Sequence, residues 1–259
     1  MAKAAEKITE AAAERRQPIF SIKDIAKSYG HVKAVHGVNF DIYPREVVGL
    51  LGDNGAGKST IIKILSGIIQ PDTGSFWRDG KQIDVKSRKD SEEKAGIQTI
   101  YQDIALVKSM SILRNIFAGR EVKGFMGLLK MKEMRDTAMQ ILNEHVKIAG
   151  ITSPDLLVEE LSGGQAQAVA IARAVHFQRD ILLLDEPTSA LSVRETNKVL
   201  TITRDIANAG NSCVFVTHNL YHAFQVCDRF VVMAHGTVAK NVLKSEITLD
   251  ELTNMIMLQ

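Results

Sequence analysis

Cysteine is scarce in this chain, with two residues, Cys213 and Cys227, among 259. So few exclude a disulfide framework, and the pair lacks metal-ligand spacing, so both read as buried, inert thiols. An excess of one charge is also missing. The 32 basic and 30 acidic side chains leave +2, without the strongly positive balance of a chain that lives on nucleic acid. No apolar run approaches the roughly 20 residues that span a bilayer, and the opening "MAKAAEKITEAAAERRQ" lacks the apolar h-region of a secretory signal. The expectation is a chain that stays in the cytoplasm. Internal repeats are lacking, and the only biased segment is the Ala/Glu/Lys-rich start. What is present, 45% hydrophobic and 24% charged residues, suffices for a sizeable core in one large domain or two interleaved ones.

The strongest local signal is "VVGLLGDNGAGKSTIIKILSGI", Val47 to Ile68. Val47 to Leu51 is an apolar run suited to a buried strand. Gly52, Asp53, Asn54, Gly55, Ala56 and Gly57 form a loop, and Ser59 to Ile68 carries apolar residues at helical spacing. Strand, loop and helix in that order are what a P-loop requires. Its glycines let backbone N–H groups turn inward around phosphates, and the helix N-terminus adds partial positive charge. Lys58 would reach the β- and γ-phosphates, Ser59 would offer its hydroxyl to Mg²⁺, and Thr60 closes the cradle. The expected ligand is a nucleoside triphosphate with magnesium.

Between Ile19 and Gly52, short alternating apolar runs broken by Gly, Pro and charge predict strands of a mainly antiparallel sheet. "GSFWRDGKQIDV" predicts a hairpin turning at Asp79-Gly80. From about Ser109 to Gly150 the spacing becomes helical, which marks an insertion over about 105–165. "DILLLDEP", "NSCVFVTHN" and "RFVVMAHG" are short apolar strands that alternate with helices such as Val193 to Ala209, so a mostly parallel sheet with packed helices is expected. Residues 1–17 read as a flexible tail and 18–259 as the folded unit.

"ILLLDEPTSALS" ends an apolar strand in two carboxylates, Asp185 and Glu186, whose side chains alternate in direction and can serve different tasks. Asp185 suits a magnesium shell, and Glu186 can polarise the water that attacks a γ-phosphate. The bland alternative is a carboxylate pair capping the next helix. Three single residues gain interest from position. Tyr29 follows a strand and could stack on adenine or simply pack on the surface. Gln102, at a strand end where the insertion starts, could reach magnesium and water or be a routine surface glutamine. His218 closes "CVFVTH", where an imidazole could touch the γ-phosphate or be a satisfied structural residue.

A second phosphate cradle is written in "VEELSGGQAQAVAIARAV", Val158 to Val175. Ser162 reads as an N-cap and Gln165 completes a capping box, which leaves the N–H groups of Gly163 and Gly164 at a helix start, an anion site.

Gly52 to Ser59, Gln102, "LSGGQ" from Leu161 to Gln165, Ile181 to Glu186 and His218, in this order, resemble the nucleotide-binding subunit of an ABC transporter over nearly the whole chain. The resemblance implies a P-loop NTPase (RecA-like) α/β core with an antiparallel β subdomain and a helical insertion subdomain. It implies ATP and Mg²⁺, with Ser59, Gln102 and Asp185 at the metal, and Lys58, Gln102, Glu186 and His218 in catalysis. Tyr29 would stack on adenine. Two cassettes would meet head to tail, so that Ser162, Gly163, Gly164 and Gln165 of one close on the ATP of the other. A lone subunit would then be slow, and the dimer would open once the γ-phosphate is lost.

Two departures stand out. "SALS" places Ser192 where the family usually has an acid, which bears on contacts across the interface, and Ala166 replaces a frequent basic residue. Neither removes a group that does chemistry, so hydrolysis is expected to survive.

"TIYQDIALVKSMSILRNIFAGRE", Thr99 to Glu121, is similar to monosaccharide importer ATPases of the ribose, xylose and fructose type, and the single cassette resembles the fructose importers more. That implies a peripheral subunit on the cytoplasmic face of the bacterial inner membrane. Its partners would be membrane permeases, an indirect periplasmic sugar-binding protein and no nucleic acid. Met126, Leu128, Leu129 and Met131 could meet the permease or lie in the core. An exporter subunit is the rival within transport. Soluble ABC-type ATPases of DNA repair or ribosomes would carry coiled coils, zinc modules or a second cassette, which are missing.

Overall fold

A computed structural model describes residues 17–101, 106–143, 151–176, 180–189 and 191–257. Most of the expected tail, residues 1–16, lies outside the described residues. Strands β1 (Phe20–Tyr29) and β2 (Val32–Ile42) pair antiparallel, and β1 also pairs antiparallel with β4 (Thr73–Arg78). β4 turns into β5 (Lys81–Ile83) at the expected hairpin. Asp79 and Gly80 there have φ of 48° and 76°, the two positive values a type I′ turn requires.

β3 (Val47–Leu51) leaves this antiparallel group, a correction to the reading of Ile19 to Gly52 as one antiparallel sheet. It lies between β9 (Arg229–Ala234) and β8 (Ser212–Val216), parallel to both, and β7 (Ile181–Asp185) and β6 (Ile97–Ile100) extend the parallel sheet. β10 (Thr237–Leu243), not foreseen from the sequence, closes one edge antiparallel to β9.

The reason is burial on both faces. Val47, Leu51, Leu182, Leu184, Phe215 and Val232 point to one core, whereas Val48, Leu50, Leu183, Val214, Val231 and Met233 point to the other. A strand covered on both sides needs an unbroken apolar run rather than alternation. One layer is α1 (Lys58–Leu65) with the antiparallel sheet. The other is built from α2 (Ile112–Phe117), α3 (Met131–Ile141), α4 (Gly163–His176), α5 (Val193–Asn208), α6 (Leu220–Val226) and α7 (Leu249–Met257). Cys213 and Cys227 sit in this second core as free thiols, and burial pushes the Cys213 thiol up to about 12.

The helical segment is less regular than its spacing suggests. Between α2 and α3 the chain makes a short turn at Phe125–Gly127, with Met126 at φ 58°. Met126 and Leu128 are 83% and 72% exposed and Leu129 and Met131 are exposed too, so the core reading of these four is wrong.

Candidate active site

β3 delivers the chain to a loop of three glycines with positive φ, Gly52, Gly55 and Gly57, and α1 begins directly after. No side chain caps α1, so the N–H groups of its first turn are left for a ligand. Two of the glycines are required by their neighbours. A Cβ on Gly52 would stand 2.3 Å from the Met233 carbonyl oxygen, and one on Gly57 would stand 2.7 Å from Val35 Cγ1. The loop is tied down at Ala56, whose carbonyl accepts from the Gly236 N–H at 3.1 Å. Lys58 Nζ lies over the loop and donates to the carbonyls of Gly52 (2.6 Å) and Asp53 (2.9 Å). Burial lowers the pKa of this ammonium, against the pull of Glu186, Asp53 and Asp185.

Asp185 and Glu186 part company as expected. Asp185 ends β7, and burial raises its pKa, with the Glu186 charge adding and Lys58 opposing. Glu186 leaves the strand with φ 47°, a conformation that costs a non-glycine residue about 1–2 kcal/mol. Its carboxylate then faces the end of β8. Oε2 accepts from Thr217 Oγ1 at 3.2 Å, and Oε1 accepts from the His218 N–H at 3.0 Å and lies 2.8 Å from His218 Nδ1. The helix-cap alternative for the pair does not describe these contacts.

A cavity of about 760 Å³ gathers Tyr29, Asn54, Gly55, Gly57, Lys58, Ser59, Thr60, Asp185, Glu186 and His218, a size within the range of small-molecule sites. Tyr29 stands at its rim, 48% exposed. Gly52, Asp53 and Ala56 support the loop without lining the cavity. Gln102 lies outside the described residues. The wall also uses Val32, Lys33, Ala34, His235 and Gly236, none of which was foreseen. They arrive because the β9–β10 turn lies against β2, where the Gly236 carbonyl accepts from the His36 N–H at 2.8 Å. The hard oxygens of Ser59 and Asp185 on one cavity fit Mg²⁺, which takes one or two carboxylates and completes its shell with phosphate and water.

The capping box at the second glycine-rich turn forms as read, but the Gly164 N–H is not left free, because it donates to Glu195 Oε1 at 3.1 Å. Ser162 Oγ accepts from the Gln165 N–H at 3.3 Å and Gln165 Oε1 accepts from the Ser162 N–H at 2.8 Å, a reciprocal capping box opening α4. Residues 162–165 take no part in lining the nucleotide-sized cavity.

The family model for the ABC transporter matches residues 35–189. The chain belongs to the ABC transporter family. As an ABC-type ATPase it is 43% identical over 92% of its length to the xylose/arabinose import ATP-binding protein XylG of Sulfolobus acidocaldarius, covering 93% of that protein. It is 40% identical over 85% of its length to the fructose import ATP-binding protein FrcA of Rhizobium meliloti, covering 86% of it. Ribose import ATP-binding proteins are longer, and the chain spans 48% of the one from Caldanaerobacter subterraneus. Among solved structures it is similar, at 25% identity and a TM-score of 0.71, to a dimeric ATP-binding cassette in a post-hydrolysis state bound to ADP and phosphate, with 87% of this chain and 98% of that one covered.

In this cassette the departure at Ser192 has a structural use. Ser192 is the N-cap of α5, where its Oγ accepts from the Glu195 N–H at 3.4 Å and the Glu195 carboxylate accepts from the Ser192 N–H at 3.1 Å. Replacing Ser192 with Ala should therefore destabilise the fold by about 1 kcal/mol. A protein of this size should then melt roughly 2–4 °C lower, read by circular dichroism, and an unchanged melting temperature would remove the cap from the account. Ala166 packs against the α-helical core.

Proposed function

We propose that this cassette is the ATP-hydrolysing subunit of an importer in which two copies meet head to tail and drive uptake of a monosaccharide. The observation that carries the reading is the separation of two glycine-rich turns, each at the start of a helix. One cavity gathers the P-loop, Asp185, Glu186 and His218, while the turn at 162–165 stands apart from it. An anion site outside the nucleotide cavity of its own chain suits a neighbour's nucleotide. The relatives are named for xylose/arabinose at 43% and fructose at 40% identity, so fructose is not singled out and the substrate class is monosaccharide.

The roles follow from the geometry. Lys58 would exchange its loop carbonyls for the β- and γ-phosphate oxygens, which stabilise its half-buried charge. Mg²⁺ held by Ser59 and Asp185, with Gln102 as a further ligand, would neutralise charge on the phosphates. Glu186, fixed by Thr217 and His218, would orient and polarise the attacking water as general base. His218 would place its exposed ring edge at the γ-phosphate, and Tyr29 would stack on adenine. Residues 18–259 would form one unit. The segment of about 105–165, with Met126, Leu128, Leu129 and Met131 exposed, would face permease subunits on the cytoplasmic face of the bacterial inner membrane. A periplasmic sugar-binding protein would be an indirect partner, and nucleic acid none. No helix among the described residues is long and apolar enough to cross a membrane.

The test is capture of tagged Glu186→Gln protein from its own membranes with Mg-ATP, followed by mass spectrometry. The expected companions are a multi-span permease and a sugar-binding protein. A permease without a binding protein would favour export, and recovery of ribosomes or DNA-repair proteins with no membrane protein would sink the transport assignment.

A further inference from the structure

Glu195, the capping-box partner of Ser192 in the first turn of α5, also reaches across with its carboxylate to the start of α4. Oε1 accepts from the Gly164 N–H at 3.1 Å, and Oε2 accepts from the Ser192 hydroxyl at 2.8 Å. The Ser192 hydroxyl and N–H, with the Gly164 N–H, hold its pKa down at about 2, so the group is an anion at neutral pH. The fit is close. A Cβ on Gly164 would lie 2.6 Å from Glu195 Cγ, so only glycine at that position lets the side chain lie over the turn. The Gly164 N–H is thus committed to an anion supplied by its own chain.

We infer that Glu195 is a positioning residue that occupies the Gly164 N–H of the 162–165 turn until the γ-phosphate held by a neighbouring cassette displaces it. The inference rests on the reading that this turn serves a neighbour's nucleotide. Its physical basis is competition. An N–H is one donor that makes one strong hydrogen bond, and two anions at one donor repel each other. The carboxylate keeps the turn in its anion-binding shape and raises the concentration of ATP needed to close two cassettes. On displacement it retains the Ser192 N–H and hydroxyl as partners at the head of α5. Closure would therefore be sensed at the loop that follows Glu186.

Glu195→Gln keeps the acceptor oxygen and removes the charge. Dimerisation of the Glu186→Gln protein against ATP concentration, followed by analytical ultracentrifugation, should reach its midpoint at about tenfold less ATP when Glu195→Gln is added. That is the factor expected when a charge-assisted hydrogen bond becomes a neutral one. The same weakening acts in the folded monomer, so the melting temperature should fall by roughly 3–6 °C, whereas a purely structural role would shift the melting temperature and leave the ATP midpoint alone. An unchanged or higher midpoint overturns the inference. A second readout needs no dimer. Inorganic phosphate titrated into the nucleotide-free protein should shift the Gly164 amide in ¹⁵N NMR spectra of Glu195→Gln at concentrations that leave the unsubstituted protein unaffected, and equal responses overturn the inference. A positive phosphate result together with failure of Glu186→Gln to dimerise in ATP would show that the sandwich reading is wrong and the carboxylate's occupancy right. If Glu195→Gln does not fold, Glu195→Asp, which keeps the charge but shortens the reach to Gly164, should lower the midpoint in the same direction.

Discussion

Glu186→Gln protein should hydrolyse ATP roughly 10²–10⁴-fold more slowly than the unsubstituted cassette, the range lost with a general base. It should still bind ATP and dimerise on it. The two halves of this expectation come from different atoms. On the proposed roles, binding would be carried by the P-loop backbone, Lys58 and the wall at Tyr29, whereas the hydrogen bonds of the Glu186 side chain go to Thr217 and His218. Gln can keep one oxygen as acceptor for the His218 N–H, so the turn after β7 should hold its shape. What would be lost is the basic oxygen proposed to take up a proton. Steady-state phosphate release would read the rate, and sedimentation with ATP or ADP would read the assembly. Hydrolysis within tenfold of the unsubstituted protein would assign the base elsewhere.

Gly52→Ala should be the most damaging small substitution in the loop. Alanine at φ 142° is already unfavourable, and its methyl would stand 2.3 Å from the Met233 carbonyl oxygen and 3.1 Å from Ala56 Cβ. The nearest obstacle is the backbone of β9, paired in register with β3, and it cannot swing aside as a side-chain tip would. Strain of about 1–2 kcal/mol from the backbone angle and roughly 1–3 kcal/mol from overpacking would together destabilise the fold by about 2–5 kcal/mol. The melting temperature should fall by roughly 4–20 °C. Nucleotide affinity should fall with it, because the Gly52 carbonyl is one of the two oxygens that place Lys58. Gly55→Ala is the contrast, since no atom lies within 4 Å of its added Cβ and only the backbone angle counts against it. Equal melting temperatures for the two variants would refute the steric account.

The parts of the site that could be read in the sequence are those whose geometry is local. The P-loop is a strand, a turn and a helix in unbroken order, and the Ser162–Gln165 box depends on a three-residue spacing. Asp185 and Glu186 diverge because a strand alternates and then stops. The parts that escaped depend on which strands become neighbours. His235 and Gly236 line the cavity only because β9 pairs beside β3 and its following turn reaches β2. β10 carries no strong apolar run in the sequence, because its edge position leaves it only partly buried. The four apolar residues from Met126 to Met131 have the spacing of a helical core face, but the chain turns at Met126 and leaves them exposed. Glu195 left a usable signal, since Ser192 followed three residues later by Glu is itself a capping-box pattern. The missing information was that the same carboxylate also reaches α4.

The place of β3 in the sheet sets the order in which the molecule can be completed on the ribosome. The P-loop is encoded in the first quarter of the chain, but β3 is held on one side by β8 and on the other by β9, with Val48 opposite Arg229. At about 5–20 residues per second, a ribosome that has just made β3 needs roughly 10–40 s more to make its second neighbour. Until then the nucleotide loop has no β9 carbonyl to pack against and no Gly236 N–H to hold Ala56. ATP therefore has no finished site on the nascent chain, and the antiparallel strands β1, β2, β4 and β5, complete by Ile83, are available to fold first.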